Sequence, residues 1–274
     1  MSKEEKEITK TEEPKPTGPP KSAFREYFES FVVTLVMALF GMTFIIQAVT
    51  VPTGSMQNTI LIGDYLLVNK FIFAPGGKPV PLLPQKEIER GDIIVFKFPG
   101  YPKEMNVSKQ NRDDAGVPYQ TNFVKRVIGL PGDKIEIKGT DVYINDNLLP
   151  EHKIIGDPPS KHAALDTEEF EPRQPDQTYD VYYSEDSIKG APANQRVPFA
   201  GTGKPYVVPE NSYFVMGDSR DQSLDSRFWG VVSRDLIIGR AMFVYWSCDR
   251  AASSESMLGC ITHPRFDRIG KVIK

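Results

Sequence analysis

The chain has 274 residues, about 40% hydrophobic and 25% charged, enough to bury one or two cores and unlike a disordered or fibrous sequence. Its formal net charge of −3 leaves no strongly basic domain or stripe, which argues against nucleic acid as a partner.

Residues 1–29 carry six cations, seven glutamates and a "PKPTGPPK" run with few apolar groups. Such a composition cannot bury enough surface to offset chain entropy, so a flexible tail is expected. From Ser30 to Gly63 there is no Asp, Glu, Lys or Arg, and "FVVTLVMALFGMTFIIQAVTV" (31–51) is 21 residues long. That length spans a bilayer core, so a single transmembrane helix is expected over 30–51. A buried core helix and a cleavable signal peptide are the alternatives; the run exceeds a signal peptide's apolar region, and about 30 polar residues precede it. Lys15, Lys21 and Arg25 precede the span, and the first cation after it is Lys70. The positive-inside rule then places the N-terminus in the cytoplasm and residues 52–274 outside.

Beyond Pro52 the pattern is that of strands: 65–71, 92–98, 122–128, 134–138, 141–145, 212–216 and 236–246 are rich in β-branched and aromatic residues. Turn signals such as Gly63-Asp64 and Pro131-Gly132-Asp133 separate them. The expectation is a mainly β domain, barrel-like or sandwich, with its core in 52–137 and 211–274. Residues 99–121 and 150–210, the latter with nine of the 23 prolines, read as surface insertions, and a smaller lobe is expected over 138–210.

A serine nucleophile needs a base beside it. Ser55, in "VPTGSMQNTI" (51–60), is a candidate nucleophile just past the apolar run. The three histidines, His152, His162 and His263, lie in the Pro-rich insertion and a polar tail segment, which argues against a Ser/His/Asp triad. No serine has a lysine three positions later. Lys125, in "NFVKRVIGLPGD", is flanked by Phe123, Val124, Val127 and Ile128, and a strand here carries it on the side of Phe123 and Val127. Neutrality near pH 7 to 8 requires its pKa to fall from about 10.4 at a cost of about 3 to 4 kcal/mol, which desolvation can supply. A neutral lysine can take a serine's proton. Nothing in spacing alone pairs Lys125 with Ser55, and an edge-strand charge is the plainer reading of an isolated lysine.

"PTGSM" (52–56), "LIGDYLLVNKF" (61–71), "RGDIIVFKFP" (90–99), "VKRVIGLPGD" (124–133) and "GDSRDQSLDSRFWG" (217–230) resemble, in order, sequence boxes of bacterial type I signal peptidases. Together they cover about 50 residues, and "RFDRIGK" (265–271) is similar to that family's C-terminal end. The resemblance implies a membrane-anchored Ser/Lys protease of the bacterial cytoplasmic membrane, needing no cofactor or metal, that removes signal peptides from exported preproteins. It implies an antiparallel β-sheet or barrel core with an inserted smaller β lobe.

Carried over position by position, it makes Ser55 the acylating nucleophile and Lys125 the general base. Thr53 then helps hold the oxyanion together with the Ser55 N–H, a contribution of a few kcal/mol. Gly54 would let the substrate backbone approach closely. Ser223 matches a serine that orients the lysine, Asp225 and Arg227 a supporting ion pair, and Asp218 and Arg220 further supporting positions. Small residues at −1 and −3 of the substrate imply shallow apolar pockets, lined by resemblance by Val51, Pro52, Met56, Ile60, Leu66 and Val124. The substrate would lie extended beside residues 51–55 and 122–126.

Cys248 and Cys260 lie outside the membrane in this topology and are expected either to close a 13-residue loop by a disulfide or to remain thiols. A self-cleaving repressor-like Ser/Lys protease would need a DNA-binding helical domain in place of the span. A membrane-tethered, non-enzymatic binding module of the same fold is the other alternative. No His/Cys/carboxylate cluster has metal-ligand spacing.

Overall fold

The computed structural model describes residues 22–74, 84–102, 117–157, 164–190, 197–249 and 257–274. Residues 1–21 of the tail expected over 1–29, and residues 103–116, 158–163 and 191–196 of the insertions expected over 99–121 and 150–210, lie outside the described residues. The chain divides into two units, Met1–Gly41 and Met42–Lys274.

In the first unit, helix α1 spans Ala23–Phe40. Ser22 caps it by accepting from the Arg25 N–H, Glu26 sits in the first turn, and Arg25 pairs with Glu29 at 2.8 Å. These contacts begin the helix seven residues earlier than composition suggested. The apolar helical run, with a mean hydropathy of 2.0, continues through a wider turn, Gly41–Ile45, and is long enough to cross a bilayer.

The helix does not extend to residue 51 as expected, because Ile46–Thr50 form strand β1. The β-branched Ile46, Val49 and Thr50 pair antiparallel with β2 (Asp64–Asn69), and Val49 is buried opposite Leu66. Lys70 anchors the start of β1, its N–H donating to the Ile45 carbonyl and its Nζ to that of Thr43.

The second unit is mainly β. Its principal sheet has seven antiparallel strands in the order β1-β2-β14-β3-β4-β12-β13, with β3 at Ile93–Lys97, β4 at Asn122–Gly129, β12 at Ser212–Met216, β13 at Val232–Ser233 and β14 at Ile237–Ser247. Its terminal strands, β1 and β13, do not pair with each other, so the sheet is open. One core packs Val49, Val51, Met56, Leu66, Val95 and Val244; another packs Phe96, Phe98, Val127, Val215 and Trp229. Strand β4 belongs to both, because successive residues point to opposite faces.

The second unit also contains two smaller sheets. Strands β5 (Lys134–Lys138), β6 (Asp141–Ile144) and β7 (Asn147–Leu148) join β11 (Tyr206–Val207) in the first of them. The third sheet, β8 (His152–Asp157), β9 (Asp166–Glu169) and β10 (Asp180–Tyr183), left little sequence signal, since β9 is exposed throughout.

Candidate active site

Ser55 lies in the turn after β1, held by its neighbours rather than by regular structure. The Gln57 N–H donates to the Gly54 carbonyl at 3.0 Å, and the Ser219 N–H donates to the Ser55 carbonyl at 3.2 Å. Gly217 makes the second contact possible: a Cβ there would stand 2.3 Å from the Ser55 carbonyl oxygen and 2.3 Å from Ser223 Oγ. At Gly54 the crowding comes from the Gln57 side chain, 2.3 Å from where a Cβ would sit.

Lys125 comes from β4, opposite Ile94 of β3. Its Nζ lies 2.5 Å from Ser55 Oγ and 3.1 Å from the Val124 carbonyl oxygen, with the Phe123 ring centroid 5.3 Å away. Lys125 is 3% exposed and Ser55 7%. Burial lowers the ammonium pKa from 10.5 to about 8; Asp225 and Asp218 pull it upward, and Arg227 opposes them.

Beneath the pair lies a lattice of ion pairs. Asp225 accepts from Arg227 Nε at 2.8 Å and Nη2 at 2.9 Å, and from the Gly217 N–H at 3.0 Å. Burial pushes the Asp225 carboxyl up, but the Arg227 guanidinium and these hydrogen bonds outweigh it and hold it below its ordinary range. Arg126, next to Lys125 but on the other face of β4, makes two bonds to Asp218 at 2.8 and 2.7 Å. Thr59 Oγ1 also donates to Asp218, at 2.6 Å. Arg220 donates to the Gly217 carbonyl and pairs through both Nη atoms with Glu151. Glu151, just before β8, is a buried partner that no sequence pattern marked.

A cleft of about 300 Å³ opens over Ser55 and Lys125. Among the described residues Lys125 is the one charged group in its lining, which includes Val51, Met56, Phe123, Val124 and Leu224. Two strand edges border it. Among the described residues β1 pairs only with β2, and the first half of β4, residues 122–125, pairs only with β3, because β12 joins β4 from Arg126 onward.

The family model for signal peptidase, peptidase S26, matches residues 24–246. The chain belongs to this family. It is thus a serine peptidase, and its curated relatives agree along their length. The signal peptidase I of Pseudomonas aeruginosa is 30% identical over 263 residues, 90% of this chain and 78% of that one. That of Rickettsia massiliae is 34% identical over 238 residues, 83% of this chain and 81% of that one. That of Aquifex aeolicus is 30% identical over 285 residues, 90% of this chain and 97% of that one.

Several positions inferred from resemblance to signal peptidases sit differently in the structure. Val51, Pro52, Met56 and Val124 line the cleft, whereas Ile60 and Leu66, both 0% exposed, are part of the core behind it. Period two turns Leu66 inward toward Val49, and the bond from the Ile60 N–H to the Met56 carbonyl folds Ile60 under the turn. Ser223 is buried beneath the pair, its side chain against Gly217 and the Asp225 carboxylate. Thr53 is exposed at the cleft, and neither its hydroxyl nor the Ser55 N–H enters a hydrogen bond among the described residues. Cys248 and Cys260 form a disulfide. Arg265 and Arg268, in the tail segment, brace the loop after Ser55: Arg268 pairs with buried Asp64 at 2.5 Å and donates to the Thr59 carbonyl, and Arg265 donates to that of Ile62.

Proposed function

We propose that this protein is a membrane-bound endopeptidase that removes signal peptides from exported preproteins, with Ser55 as nucleophile and Lys125 as general base. The observation that carries this reading is the contact between the Lys125 amine and the Ser55 hydroxyl, in a cleft where burial brings the amine's pKa down to about 8.

The chemistry follows from the positions of the groups. Neutral Lys125 takes the Ser55 proton as Oγ attacks the scissile carbonyl. Negative charge develops on the carbonyl oxygen, to which the Ser55 N–H and the Thr53 hydroxyl, without partners among the described residues, donate. The Lys125 ammonium then protonates the leaving amine, releasing the new N-terminus and an acyl-enzyme. Lys125, neutral again, deprotonates the water that hydrolyses the ester.

The substrate is an extended segment lying between the free edges of β1 and β4, exchanging main-chain hydrogen bonds with them. Main-chain pairing recognises extension rather than sequence. Selectivity falls to the shallow apolar pockets at Val51, Met56 and Val124, which suit small residues at −1 and −3.

The apolar helical run serves as the membrane anchor, with the N-terminus in the cytoplasm and the peptidase unit outside. An open strand edge has no place in hydrocarbon, so β1 lies beyond the bilayer core. Five residues of strand extend about 16 Å, which sets how far the chain travels before it reaches the Ser55 turn. A signal peptide whose apolar segment occupies the same bilayer would present its scissile bond on that side. The test is incubation of the purified protein in lipid vesicles with a preprotein carrying an Ala-x-Ala site. The wild type should release the mature protein and Lys125→Ala should not; equal release by both would defeat the assignment.

A further inference from the structure

We propose that the cleft also reads the substrate at −2, through an apolar subsite formed by Phe123 and Leu224. This rests on the reading of the cleft as a signal-peptide site and adds a specificity determinant to it.

The two faces of β4 carry the argument. Val95 pairs with Val124 on one face, and Phe96 with Phe123 on the other. Val124 packs with the core of Val49, Val51 and Met56; Phe123 and Leu224 pack with the core of Phe96, Phe98 and Trp229. An extended chain beside the free edge at residues 122–125 turns successive side chains to opposite faces. If −1 and −3 enter the side of Val51, Met56 and Val124, then −2 must turn to the side of Phe123 and Leu224.

That side is built to receive an apolar group. The Phe123 ring is fixed by stacking on Phe98 at 4.9 Å and by Trp229 at 5.4 Å, so it is a rigid wall. Leu224 is half-buried and lines the same cleft. Burying about 50 Å² of a −2 side chain there, at about 25 cal/mol per Å², favours it by about tenfold. A carboxylate at −2 is doubly disfavoured, since it enters an apolar site and would stabilise the protonated form of Lys125.

The experiment measures kcat/KM of the full-length protein on peptides with Ala at −1 and −3 and Ala, Ser, Asp, Leu or Phe at −2. Leu and Phe should exceed Ala about tenfold, and Asp should be the poorest. In Leu224→Ser the ratio of the Leu and Phe rates to the Ala rate should fall toward one. If that variant does not fold, the wild-type series decides alone. Equal rates at all five −2 residues would overturn the subsite and leave the peptidase reading standing; failure to cut any of the five would overturn both.

Discussion

Lys125 Nζ and Ser55 Oγ stand 2.5 Å apart across 70 residues of sequence. Two features impose that meeting. The β3–β4 pairing sets the lysine opposite Ile94, and the Ser219 N–H grips the Ser55 carbonyl through the space that Gly217 leaves open.

Ser55→Ala and Lys125→Met should each reduce cleavage by at least about a thousandfold while leaving the fold intact. Initial rates on an Ala-x-Ala peptide, with circular dichroism as the folding control, check this.

Lys125→Met should also stabilise the protein. The folded pKa near 8 lies below the ordinary 10.5, so folding carries a cost of about 3 kcal/mol that is fully present below pH 8 and fades between 8 and 10.5. Methionine fills the same space without that cost. Urea unfolding should give a higher midpoint for the variant at pH 7 and a smaller advantage at pH 10.

Asp225 and Arg227 should tune the active lysine in opposite directions. Asp225 raises the Lys125 pKa and Arg227 lowers it, so Asp225→Asn should move the rise of the pH–rate profile toward acid and Arg227→Met toward alkali. Arg227→Met should also cost roughly 3 to 5 kcal/mol, since it strands a buried carboxylate. A purely structural role would lower the rate without shifting the profile.

The Cys248–Cys260 bond closes a loop with a sequence separation of 12 and should contribute about 3 kcal/mol. It ties the helix at Met257–Thr262 to the end of β14, where the Cys248 N–H donates to the Gly63 carbonyl. A Cys248→Ser, Cys260→Ser double variant should melt several degrees lower and become insensitive to reductant, measured by thermal unfolding with and without dithiothreitol.

Much of this architecture was legible in the sequence, for identifiable reasons. Alternation around Lys125 placed it beside Phe123 because a strand's period of two is local. The start of β1 was hidden because Ile46–Thr50 continue the uncharged run before them, and only pairing with β2 distinguishes strand from span. Ile60 and Leu66 were misplaced because apolar residues near a cleft look alike whether they face it or support it. Glu151 was invisible because its significance lies in Arg220, 69 residues away. Strands β8 to β10 escaped notice because β9 is exposed throughout and the other two are only six and four residues long.

The most direct test of the central claim is kcat/KM on an Ala-x-Ala peptide as a function of pH. A neutral lysine acting as base predicts a rise of about tenfold per pH unit below about 8, levelling above it. A rate unchanged between pH 5 and 9, with chemistry limiting, would contradict the pairing of Lys125 with Ser55 as base and nucleophile.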